Sequence, residues 1–279
     1  NTYGQLGDGS TTDRSSLTQM INTTGSKVEK VFVSHSNITM ILENGKIYRT
    51  GYNNYGQIGD GTTTDRSSMV EITNNGKVVK QLVSKEFVLL VLMTDGSIYG
   101  AGYNNNGMLG DGTTTNRSSM VEMTNTTGKT PKEISCGDDH VIVLMTDGTI
   151  YGTGVNNKGQ LGDGTTSNKT SLVEMINITK EPEEILCEGD YSKIIMTDGT
   201  IFVCGDNSVG QLGDGTIIDR NEIVLKNMEE ETPITETLTV SELLSSGYNV
   251  DELKTLQYTA TDLKESGIVL NELKDASYN

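Results

Sequence analysis

A block reading Gly-Gln-Leu-Gly-Asp-Gly-Thr, with single substitutions such as Ile58 and Met108, returns five times in this chain. It begins at Gly4, Gly56, Gly107, Gly159 and Gly210, at intervals of 52, 51, 52 and 51 residues. A fixed period near 50 means one supersecondary unit laid down repeatedly, each copy stable only by burying its faces against its neighbours. The question of fold therefore reduces to the shape of one unit.

In the unit from Lys129 to Met175, Lys132-Glu-Ile-Ser-Cys136 forms a short strand candidate after Pro131, followed by the polar turn Gly137-Asp138-Asp139-His140. Val141 to Met145 is an unbroken apolar run rich in β-branched residues, the pattern of a strand covered on both faces. Asp147-Gly148 then separates it from Thr149-Ile-Tyr-Gly-Thr-Gly154, and the same register holds Asn44-Gly45, Asp95-Gly96 and Asp198-Gly199. Such dipeptides between strands predict a two-residue type I′ hairpin with positive φ at both positions. After the Gly-rich block, Met120-Val-Glu-Met and Leu172-Val-Glu-Met alternate as half-exposed strands. Four short strands per unit predict an all-β fold, a propeller of four-stranded antiparallel blades packed face to face.

The Gly-Gln-Leu-Gly-Asp-Gly-Thr block, preceded by Tyr-Asn-Asn and by an apolar strand ending in Asp-Gly, closely resembles the regulator of chromosome condensation repeat over residues 1–226. The resemblance implies a seven-bladed propeller, of which this chain holds about four to five repeats. Asn1 aligns with Asn53 in mid-unit and Asn279 begins a further decamer, so we expect sequence beyond both ends. The family pattern carries a His just before the core strand; here that register reads Asn37, Val88, His140 and Tyr191, and one copy keeps it.

Acidic residues number 38 against 21 basic, a formal charge of -17, so a phosphate backbone is repelled and nucleic acid is not an expected partner. No apolar run approaches the ~18 residues of a membrane-spanning helix, so no membrane segment is expected. Cys136, Cys187 and Cys204 lack Cys-x-x-Cys spacing, so neither zinc nor a disulfide framework is expected. The Gly-rich block has neither the Gly-Lys-Ser/Thr of a phosphate loop nor the alternating oxygens of a calcium loop, and the Gly-x-Gly at Gly100 and Gly152 lacks a third Gly. His35 and His140 fall in different registers with no nucleophile and acid around them. We therefore expect no catalytic residues, cofactor or metal, and a non-enzymatic protein.

Asp8, Asp60, Asp111, Asp163 and Asp214 each precede a basic residue by six positions, Arg14, Arg66, Arg117, Lys169 and Arg220. Recurrence in every unit assigns them to a structural loop, an Asx-type turn held by an ion pair. Residues serving a partner need not recur, and the turn before the core strand diverges most. Its residues His35, Glu86, Phe87, Asp138, Asp139, His140, Glu188, Asp190 and Tyr191 are the partner-binding candidates, expected on one face of the ring as a mostly acidic surface with Phe87 and Tyr191 as aromatic anchors. The function expected is that of a protein-protein interaction module. Two alternatives are guanine-nucleotide exchange on a small GTPase, which only the resemblance implies, and a structural role on a virion or cell surface.

Beyond 226 the composition changes. Residues 227–238 read as an acidic linker, and residues 239–279 carry a period of ten in which Leu243, Leu253, Leu263 and Leu273 share one register. Thr239 with Glu242 and Asn249 with Glu252 stand at capping-box spacing, and Gly247 and Gly267 fall where a helix would stop, so each decamer is expected to be a short helix. The tail resembles decapeptide arrays of the Tyr-Thr-x-x-Glu-Leu-Lys type.

Overall fold

A computed structural model of the chain describes residues 1–21 and 25–226. The linker and decapeptide helices expected over 227–279 lie outside the described residues. The described part is all-β: four antiparallel four-stranded sheets, each an uninterrupted meander, follow one another as blades. The first blade comprises β1 (Val28–Val33), β2 (Asn37–Leu42), β3 (Ile47–Gly51) and β4 (Arg66–Ile72). The second holds β5 (Val79–Ser84), β6 (Val88–Met93), β7 (Ile98–Gly102) and β8 (Arg117–Glu122). The third holds β9 (Pro131–Cys136), β10 (His140–Met145), β11 (Ile150–Gly154) and β12 (Lys169–Glu174). The fourth holds β13 (Pro182–Glu188), β14 (Tyr191–Met196), β15 (Ile201–Gly205) and β16 (Arg220–Leu225).

The apolar runs become the second strands, and every residue of β6 and β10 is buried. Alternate residues of such a strand point to opposite neighbours. Thus Val88, Leu90 and Leu92 of β6 pack against Ile134, Cys136, Val141, Val143 and Met145 of the third blade. Leu89, Val91 and Met93 face the first blade, meeting Ile41, Ile47 and Ile72. Ile142 and Leu144 pack against Ile185, Cys187 and Ile194 of the fourth. The core is thus a set of seams between blades.

The β2–β3 type of hairpin forms in all four blades, but its turn differs from the type I′ expectation. Gly45, Gly96, Gly148 and Gly199 have positive φ, whereas the Asn or Asp before each does not. The Gly45 N–H donates to Leu42 O at 2.7 Å and the Lys46 N–H to Asn44 Oδ1 at 3.1 Å. This is a type I turn closed by a left-handed Gly, which Asn-Gly and Asp-Gly suit equally well.

The recurrent Gly-rich block follows the third strand and rivets one blade to the next. Gly9, Gly61, Gly112 and Gly164 donate N–H bonds of 2.7–2.9 Å to Ser67, Ser118, Thr170 and Asn221, each near the start of the next blade's fourth strand. The leading residues 1–21 are docked in this way on β4. Inside each block Asp60-type carboxylates accept from Thr62 N and Oγ1 at 3.0 and 2.8 Å and from Arg66 Nε at 2.6 Å. Burial would raise the Asp60 pKa, but the Thr62 and Arg66 hydrogen bonds outweigh it and hold the carboxyl below its usual value. A buried Asn completes the loop. Asn104 donates to Asp111, Thr113 and Thr115 and accepts from Leu109 N at 2.9 Å, an arrangement repeated around Asn53, Asn156 and Asn207.

Candidate interaction face

The first strands of successive blades lie side by side. Gln81 of β5 exchanges two 2.9 Å bonds with the backbone of Ile134 on β9, and Ser135 Oγ accepts from Cys187 N of β13 at 3.0 Å. The turns that leave these strands therefore crowd together at one end of the array. Lys85 of the second blade reaches Glu188 of the fourth, Nζ to Oε2 at 3.2 Å, across the intervening blade. The Asp138 N–H of the third blade donates to Gly189 O of the fourth at 3.1 Å.

Each turn is also tied to the residue that follows its own third strand. Tyr52, Tyr103, Val155 and Asp206 donate N–H bonds of 2.9–3.0 Å to the carbonyls of Ser36, Phe87, Asp139 and Asp190. Gly102 makes the approach feasible: its φ is +114°, and a Cβ there would lie 2.1 Å from Phe87 O. One register of the motif is thus welded to the divergent turn, and the two change character together along the array.

Over the first two blades this face is aromatic. Tyr3 meets Tyr52 at 4.7 Å between centroids, Tyr52 meets Phe87 at 6.1 Å, and Tyr55 meets Phe87 at 5.2 Å and Tyr103 at 5.3 Å, all edge to face. Tyr3 is exposed and the other four rings are half-buried. Five of the chain's 14 aromatic residues, 11 Tyr and 3 Phe, are gathered here. Over the last two blades the same end is acidic. Burial raises the pKa of Asp139, with Asp190 and Asp138 adding repulsion. Asp190 is raised by burial and by Asp138 and Asp206, against the opposing pull of Lys158 and a 3.2 Å bond from Gln160. Lys158 pairs with Asp206 and Asp219 at 3.2 and 2.9 Å.

Of the residues singled out from sequence, Glu86, Asp138 and Glu188 are exposed and Phe87, Asp139, Asp190 and Tyr191 partly so. His35 is exposed on the first blade's turn. His140 differs: it is fully buried, and its Nε2 lies 2.9 Å from Ser192 Oγ on the fourth blade. The Ser192 hydroxyl donates onward to Gln160 O at 2.8 Å, so the imidazole donates to it. Burial, aided by Lys85, pushes the ring's pKa down to about 3. His140 is thus an inter-blade clip, not a surface contact. Tyr3, Tyr52, Tyr55 and Tyr103 were absent from the sequence candidates because they sit in or beside the recurrent motif. The replacement of Tyr52 and Tyr103 by Val155 and Asp206 was the signal for them. Among the described residues no cluster of three or more His, Cys, Asp or Glu is arranged to hold a metal ion.

Two models of the Regulator of chromosome condensation (RCC1) repeat match residues 95–144 and 132–160. Residues 95–160 match the RCC1 repeat, and the four described blades are those of a β-propeller of that kind. The ultraviolet-B receptor UVR8 of Arabidopsis thaliana is 28% identical over 224 residues, 79% of this chain and 51% of that protein. The X-linked retinitis pigmentosa GTPase regulator of Canis lupus familiaris is 29% identical over 281 residues, 80% of this chain and 28% of that protein. The crystal structure of Prp20p from Saccharomyces cerevisiae, described with its binding to Gsp1p and histones, superposes with a TM-score of 0.61 at 16% identity, covering 74% of this chain and 51% of that one. The chain thus spans about half or less of the length of these RCC1-repeat relatives, and the propeller fold is what they share.

Proposed function

We propose that the RCC1-repeat array is a non-enzymatic protein-interaction module whose working surface is the end carrying Phe87, Asp138, Asp139, Glu188 and Asp190. The observation that supports this most is the divergence of that end. The loops that rivet blade to blade repeat nearly atom for atom, whereas the turn and the residue bonded to it pass from Ser36 with Tyr52 to Asp190 with Asp206. Scaffold duties impose sameness, and departure from it in turns so tightly bonded to the blades marks a surface released for a partner. The test is quantitative capture on the immobilised full chain from cells that make it, against the double substitution Tyr55→Ala with Asp190→Ala. At least one protein should be retained by the wild type and lost by the variant at equal thermal stability. Identical captured sets would refute the reading.

A second reading, nucleotide exchange on a small GTPase, is favoured by the similarity to the X-linked retinitis pigmentosa GTPase regulator. It predicts faster release of labelled guanine nucleotide from a GTPase of the same cell. Unchanged release across a panel of such GTPases would dispose of it.

A further inference from the structure

The interaction end has two chemistries side by side, and together they specify a partner. Half-buried Tyr52, Tyr55, Phe87 and Tyr103 form a contiguous set of rings meeting edge to face. The turns and loop heads beside them carry six carboxylates, Glu86, Asp138, Asp139, Glu188, Asp190 and Asp206, against two lysines, Lys85 and Lys158. Both lysines are already engaged, with Glu188, Asp206 and Asp219. The two halves are continuous, since Lys85, two residues from Phe87, bonds to Glu188, two residues from Asp190.

A neutral apolar partner would be served by the rings alone and would leave Asp139 and Asp190 desolvated without compensation. An acidic partner would be repelled. A cation satisfies both halves, because it is attracted to ring faces and paired by the carboxylates. Arg suits better than Lys: its planar guanidinium stacks on an aromatic ring and still presents a fork to a carboxylate. Resting on the interaction-module reading, we infer that this end binds an arginine-bearing segment of a partner protein in extended form, one guanidinium against the Tyr55–Phe87–Tyr103 rings and another between Asp139 and Asp190.

The probe is a fluorescein-labelled octapeptide of alternating Arg and Gly, titrated by anisotropy against the full chain, with Lys-Gly and Glu-Gly octapeptides beside it. The expected order is Arg over Lys, with no binding of the Glu peptide. Tyr55→Ala with Phe87→Ala should weaken Arg-peptide binding by at least about tenfold, and Tyr55→Phe by no more than about twofold. Asp139→Asn with Asp190→Asn should weaken it and flatten its dependence on salt. Lys180→Ala, in the β12–β13 connector at the other end, where Lys180 pairs with Asp198 at 2.8 Å, should change nothing. Equal binding of Arg and Glu peptides, or indifference to the aromatic and Asp substitutions together, would overturn the proposal. So would self-association in sedimentation velocity that Tyr55→Ala abolishes, which would give the surface to a second copy of the chain. Absence of Arg binding refutes the partner class alone; the capture experiment reads a partner of any charge and judges the interaction module separately.

Discussion

Arg49 occupies a position on β3 where the other blades have Gly100, Gly152 and Val203, and its side chain is fully buried. It pairs across the ladder with Thr39, on the side of β2 that Ile41 turns toward the second blade. None of its three guanidinium nitrogens finds a protein acceptor among the described residues, and the hydroxyl of Thr39 is likewise unpaired. Desolvation pulls the guanidinium pKa down to about 9, which still leaves it charged at neutral pH. A buried charge without a partner is more costly than an apolar side chain of like volume. Arg49→Met should therefore stabilise the protein, by about 1–4 kcal/mol, read as a higher urea midpoint at unchanged slope. A lower midpoint would show that the charge is compensated in solution. His140 makes a second residue-scale prediction. Its pKa is near 6.5 when unfolded and about 3 when folded, so between these values only the unfolded chain takes up the proton. The stability it confers is intact above pH 6.5 and lost as pH falls toward 3. From pH 6 to 4.5 the wild type should lose about 2 kcal/mol more than His140→Asn, measured by urea denaturation at each pH. Asn is the fitting replacement, since Asn37 in the same register donates to Thr50 O and Tyr52 O at 3.0 and 2.8 Å.

At the scale of the element, the Gly-rich loop separates a visible feature from one that carries more stability. Its Asp–Arg pair stands out in the sequence, yet Arg117 is one-third exposed, with 34% of its side chain accessible, and the buried Asp111 keeps its bonds from Thr113 and Asn104 when the guanidinium is removed. Asn104 is wholly buried and satisfies the backbone of Leu109, Thr113 and Thr115. Removing it strands those groups. Asn104→Ala should thus cost about 2–4 kcal/mol and Arg117→Ala below about 1 kcal/mol, compared by urea midpoint. Equal losses would mean that the ion pair, not the amide, organises the loop. The same contrast explains what could be read in advance. The blade was legible because strand periodicity and the run Val141–Met145 are local. The hairpin type was not, since Asp147-Gly148 serves a type I′ turn and a type I turn with a terminal left-handed Gly alike. The role of Asn104 was hidden because its partners lie 5, 9 and 11 residues away in a loop without periodicity. The candidate face was half legible. Divergence picked out Phe87 and Asp190, but the rings beside Phe87 sit in the motif, and the Lys85–Glu188 contact spans 103 residues.

For the molecule as a whole, blades that touch mainly their neighbours make stability a chain of seams, each with its own strength. The seam between the second and third blades packs apolar side chains from Val88 and Leu90 against Ile134 and Met145, and the polar groups that cross it, Gln81 and Thr153, are hydrogen-bonded. That between the third and fourth is apolar with the added His140–Ser192 clip. The seam between the first and second contains Arg49 and Thr39, both with unpaired buried polar atoms, where the next seam has Gly100 and Leu90. Nearest-neighbour coupling then makes opening start at that weaker seam and leave the other three blades folded. Hydrogen exchange should show β6, β10 and β11 protected longest and β2 and β3 exchanging earlier, although β2 and β6 have the same position and nearly the same burial. If the polar seam is the cause, Arg49→Met should slow exchange in β2, β3 and β5 together and leave β14 and β15 unchanged. A uniform slowing over all sixteen described strands would instead mean that the array opens only as one cooperative unit, and protection graded by burial alone, insensitive to Arg49→Met, would remove the seam from the explanation.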